Sequence, residues 1–131
     1  MRIVNLTQHN ASPEQLNEGV ENLTEPALSL LKRALTFDSP PTPNDINASI
    51  DTIVALAIGY EAAMIGGAPF IMSILENQLL LNNIMPLYAF TRRVVNETTN
   101  PDGQIIKQSI FRHEGFIAVK PIPTANCSCI K

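Results

Sequence analysis

Tryptophan is missing from this 131-residue chain, and aromatics of all kinds make up only 5% of it. A core built from this sequence has to be aliphatic. Positive charge is also scarce. Nine Lys and Arg face twelve Asp and Glu, a net charge of −3, which argues against a protein that coats long nucleic acid. No apolar run approaches 18 residues, so no membrane span is expected. The start of the chain lacks a basic stretch followed by an apolar one, so no signal peptide is expected and the cytoplasm is the expected compartment. The two cysteines, Cys127 and Cys129, fall in the last five residues. One C-x-C is too close for an easy disulfide and too small a ligand set for zinc, so no metal or cofactor is expected.

The apolar share is 45% and the charged share 16%. That is a globular composition, and the length suits one core without staples. Charge is unevenly spread. Residues 1–76 carry Arg2, Lys32 and Arg33 against nine acids, a net −6; residues 77–131 carry six cations against Glu97, Asp102 and Glu114, a net +3. A basic patch on an acidic protein suits a small anionic ligand better than a long polyanion.

The order of elements reads as strands alternating with helices. "RIVNLT" is strand-like. After the loop "QHNA", Ser12-Pro13-Glu14-Gln15 has the form of a capping box with proline at the first helical position. The helix that follows is expected to place Leu16, Val20 and Leu23 on one face. "EPALSLLKRAL" reads as a second helix, and "ALTF" as a short strand. Thr42 caps a longer helix over about residues 43–60, where Ile46, Ile50, Ile53, Val54 and Ala57 follow helical spacing. Ala62–Ile65 reads as a buried strand, Gly66-Gly67 as a turn, and Pro69 as the start of a helix to about residue 82. A strand from Met85 to about Asn96, the turn "NPDG" and a returning strand complete an antiparallel hairpin. The fold class expected is α/β: a Rossmann-like, mostly parallel sheet flanked by helices and closed by a C-terminal hairpin. Residues 1–120 form the expected domain, and 121–131 an irregular tail.

Ligands of open α/β sheets sit beyond the carboxyl ends of the parallel strands. Thr7, Gln8 and His9 follow the first strand. Ser12 follows them, with its side chain turned to its own helix. Gly66, Gly67 and Ala68 precede a helix whose first N–H groups have no obvious side-chain acceptor, and glycine lets a phosphate approach the backbone. In the hairpin, a turn centred on Pro101-Asp102 makes paired residue numbers sum to about 203. Arg92 then lies beside Phe111 and Phe90 beside His113. Thr91 and Arg93 share one face, and Arg92 takes the other. An arginine fork can hold phosphate, and a histidine can move a proton near neutral pH.

Pro86, Tyr88, Ala89, Thr91, Arg93, Glu97, Asp102-Gly103, Lys107, Phe111 and His113 together form a pattern. It resembles the C-terminal hairpin of small single-domain CRISPR-associated Rossmann-fold (CARF-like) proteins. The likeness covers about a quarter of the chain, counted from the hairpin alone. "GGAPFIMSILENQLLLNN" and "NLTQH…SPEQL" are similar in layout to the family's glycine turn and first loop. The resemblance implies a homodimer that binds a cyclic oligoadenylate. In some members it implies a ring nuclease that cleaves without metal, the ribose 2′-hydroxyl attacking the adjacent phosphorus. It implies Thr91 and Arg93 as phosphate contacts, Gly66 and Gly67 as backbone donors, and His113 as a further candidate in the reaction. Short prophage proteins look similar as well. They imply the alternative: an interaction protein of mobile-element origin that keeps the fold without a site.

Overall fold

A computed structural model describes residues 1–118. Five strands and four helices follow one another as β1 (Ile3–Leu6), α1 (Pro13–Asn17), β2 (Val20–Asn22), α2 (Ala27–Leu35), α3 (Pro43–Ala57), β3 (Ala62–Ile65), α4 (Pro69–Leu81), β4 (Met85–Thr99) and β5 (Ile105–Ile117). The sheet order is β2-β1-β3-β4-β5; the first four strands are parallel and β5 returns antiparallel. The α/β class expected from the sequence is the class found. The expected tail and its two cysteines lie outside the described residues.

Alternation along β1 and β3 splits the interior into two layers. Val4, Leu6, Ala63 and Ile65 face a core filled by Leu31 and Leu35 of α2, Ile50 and Ile53 of α3, and Ile71, Leu75 and Leu79 of α4. Each such fully buried aliphatic side chain contributes about 1.5–3 kcal/mol. This is the aliphatic core that the shortage of aromatics demanded. Ile3, Val20, Ala62, Met64 and Leu87 form the thinner second layer, with Ala11 and Phe116 packed against it.

Both proline-led helix starts form as their sequences suggest. Ser12 and Gln15 exchange the two bonds of a capping box, as do Thr42 and Asp45. The latter pair holds the Asp45 carboxyl below its ordinary range, chiefly through the Thr42 N–H. The helix after Ser12 is shorter than expected. It ends at Asn17, and Val20 belongs to a strand. Gly19 makes the switch: its φ is +105°, and a Cβ there would stand 2.3 Å from the Met1 carbonyl oxygen. Its own carbonyl accepts from the Ile3 N–H, which starts the β1–β2 pairing. "ALTF" is likewise not a strand. Leu35 ends α2, Thr36 caps it by donating to the Lys32 carbonyl, and Phe37 packs at 5.4 Å from Phe70.

The hairpin is longer than expected and its register differs by one residue. Asn100 N–H donates to the Gln104 carbonyl, so the turn centres on Asp102. Arg92 therefore pairs with Arg112, and Arg93 with Phe111. Phe90 lies opposite Gly115 and Thr91 opposite His113, which leaves Glu114 as the extra residue of a β-bulge. β3 pairs with β4 over Met85–Leu87. Beyond it the two long strands continue as a two-stranded ribbon.

Candidate functional site

The carboxyl ends of β1 and β3 open into a cavity of about 760 Å³. The loop after β1 supplies Thr7, Gln8, His9 and Asn10; α1 and its cap supply Ser12 and Gln15. Met64, Ile65, Gly66 and Gly67 come from β3 and its turn, and Ala89, Thr91 and Phe111 from the hairpin. Among the described residues the lining carries no carboxylate, guanidinium or ammonium group, and His9 is its one titratable side chain. The floor is apolar and the rim offers hydroxyls, amides and backbone N–H groups.

Asn5 anchors the loop that forms one wall. It is 5% exposed in the middle of β1, and all its hydrogen-bonding capacity is used locally. Its Nδ2 donates to the His9 carbonyl at 2.7 Å and to Asn22 Oδ1 at 2.8 Å. Its Oδ1 accepts from the Thr7 N–H and the Thr7 hydroxyl. Asn22 Oδ1 also accepts from the Ala11 N–H. The loop Thr7–Ala11 is thus pinned at both ends onto the β1–β2 edge. A buried amide with satisfied bonds is a rigid fixture.

The opposite wall is the turn before α4. Gly67 has φ +151°, a conformation that disfavours any Cβ. Gly66 lies against Thr7, where a Cβ would meet Thr7 Cγ2 at 3.5 Å. Gly67 is required by its backbone conformation, while Gly66 stands in ordinary contact distance of the β1 loop. Among the described residues no side chain caps the N terminus of α4.

A relay of hydrogen bonds fixes the third side. The Ser12 N–H donates to Gln15 Oε1, and Ser12 Oγ accepts from the Gln15 N–H. Ser12 thereby keeps its own O–H as a donor. Gln15 Nε2 stands 3.4 Å from His113 Nδ1, and His113 Nε2 stands 3.1 Å from Glu18 Oε1. With Gln15 Oε1 occupied by Ser12, the amide donates to Nδ1 and the imidazole donates from Nε2 to Glu18. The His113 side chain is 2% exposed and packs on Phe116. It clamps α1 to β5.

Of the residues singled out from the sequence, Thr7, Gln8, His9, Ser12, Gly66, Gly67 and Thr91 line the cavity together. Ala68 does not; it is the N-cap position of α4, one residue beyond the lining. His113 does not; its two ring nitrogens serve the clamp. Arg93 does not either. It sits opposite the lining residue Phe111, but its guanidinium runs along the ribbon and donates from Nε and Nη2 to Ser109 Oγ. Arg92 turns to Glu114 at 3.9 Å, on the other face. Asn10, the last residue of the loop segment expected to meet a ligand, lines the cavity too, whereas Asn5, Gln15 and Phe111 were missed as site residues. Asn5 had one legible signal, a lone amide in an apolar strand. Phe111 follows only from the register. Among the described residues no group of three or more His, Cys, Asp or Glu could hold a metal ion, and no helix is long and apolar enough to cross a membrane.

Fold and site together define an α/β protein with a neutral, ligand-sized cavity at the carboxyl edge of its parallel strands. The chain belongs to the Uncharacterized protein MJ1673 family, whose model matches residues 1–117. The match runs from the first residue to the end of β5. No curated protein and no solved structure matches the chain.

Proposed function

We propose that the protein binds a small nucleotide in this cavity, and that the ligand is a cyclic oligoadenylate held where two copies of the chain meet in the cytoplasm. The observation that carries the reading is the convergence of the Gly66-Gly67 turn, the β1 loop and Thr91 on one cavity. Backbone N–H groups and hydroxyls suit phosphate oxygens, and the exposed ring of Phe111 suits a base face. Arg93 pairs across the strands with Phe111 of the lining, and released from Ser109 it would add the charge that the described lining lacks.

The reading is of binding. His113, the proton-transfer candidate of the hairpin, has both ring nitrogens engaged in the clamp, so attack of a ribose 2′-oxygen on phosphorus would turn to His9 of the lining as acceptor for its proton. Calorimetry with cyclic tri-, tetra- and hexa-adenylate in metal-free buffer tests it. Heat of binding with one ring is expected; silence with all three defeats the proposal. A second reading, an interaction protein without a ligand, is favoured by the exposed apolar side chains of the ribbon. It predicts that silence together with capture of a protein partner through the ribbon.

A further inference from the structure

The ribbon is an unusual object for water. Val95 is 52% exposed, Ile105 64% and Ile106 46%. Pairing puts Val95 and Ile105 on one face and Ile106 on the other. Apolar side chains thus emerge from both faces of a ribbon that extends beyond its pairing with β3. A two-stranded hairpin alone in water is marginal, and its open edges invite partners.

Charge indicates the partner. The root of the ribbon carries Arg92, Arg93 and Arg112 against Glu114, and Arg92 faces Arg112 directly across the strands. Like charges so placed repel, and an anionic surface laid over them relieves the repulsion. The body supplies one. Residues 1–84 hold three cations and nine acids, a net −6. The basic root and the acidic body are complementary, and both belong to this chain. A two-fold axis uses such a pair twice.

We propose that the β4–β5 ribbon is an assembly arm, its apolar side chains and arginine root covered by the acidic body of a second copy of this chain. The arm springs from Thr91 and Phe111, so the contact meets the cavity rim and closes its open side. The proposal deepens the two-copy part of the function given above, and rests on that reading only there.

Sedimentation velocity on the full chain, with cyclic oligoadenylate calorimetry on the same samples, tests it. The wild type is expected at dimer mass. The variants Val95→Glu/Ile105→Glu and Ile106→Glu are expected at monomer mass with unchanged far-ultraviolet circular dichroism, since all three side chains are exposed. Hydrogen exchange gives a second measurement: ribbon amides gain protection as protein concentration rises, while α3 amides do not. A monomeric wild type, or variants that stay dimeric, overturns the proposal. The two readings fail separately. A dimer that binds no ring defeats only the ligand, and a monomer that binds one defeats the arm and the two-copy placement of the ligand while keeping the cavity as its site.

Discussion

Asn5 shows how much one side chain can organise. Its four hydrogen bonds join the end of β1 to Thr7, His9 and Asn22. Asn5→Ala strands several of these partners, and a buried group left unsatisfied costs about 1–3 kcal/mol. The urea midpoint is expected to fall with the slope unchanged; an unaltered midpoint contradicts the role. Tyr88 gives a second residue-scale prediction. Burial first, then the hydrogen bond to Glu76 and that group's charge, push its hydroxyl above the ordinary value of 10.0. The native state therefore favours the neutral phenol. That contribution is complete below pH 10 and is lost as pH rises above it. Tyr88→Phe is expected to melt earlier than wild type at neutral pH and to lose less stability on the alkaline side, in paired thermal melts. Asn5 was missed from the sequence because its partner Asn22 becomes a neighbour only when β1 pairs with β2.

The elements divide into those fixed locally and those fixed by contact. Ser-Pro-x-Gln and Thr-Pro-x-Asp start helices through bonds spanning three residues, and both were legible for that reason. β2 was not legible. Val20-Glu21-Asn22 has no pattern of its own and becomes a strand because Gly19 turns the chain beside Ile3. The hairpin itself was legible from its turn and apolar runs. Its one-residue shift came from a turn centred on Asp102, and the bulge at Glu114 separated Phe90 from His113. The glycine turn supplies a test at this scale. Gly67→Ala is expected to destabilise the fold by more than about 1 kcal/mol, because an L residue resists its positive φ. Gly66→Ala meets only ordinary contact at Thr7, so it is expected to keep the fold while its methyl narrows the cavity. Thermal melts separate the two, and calorimetry with a cyclic oligoadenylate is expected to show weaker binding for the Gly66 variant.

Across the whole molecule, an acidic body bears a basic ribbon, and the cavity lies where they meet. Seven of the ten candidate site residues read from the sequence share that cavity, because strand ends and glycine turns can be placed without knowing tertiary contacts. Arg93 and His113 escaped this logic, since a rotamer and a clamp are settled by neighbours distant in sequence. Arg93→Ala is expected to weaken nucleotide binding by about 1–3 kcal/mol, as loss of a charged hydrogen bond does. An unchanged affinity removes Arg93 from the site and leaves the cavity to neutral donors.

The bonds from Ser12 through Gln15 and His113 to Glu18 have a mechanical meaning as well. Ser12 lines the cavity, and His113 stands on β5 at the root of the ribbon. The cavity wall and the base of the ribbon are therefore one hydrogen-bonded unit, in which Gln15 and His113 belong to both at once.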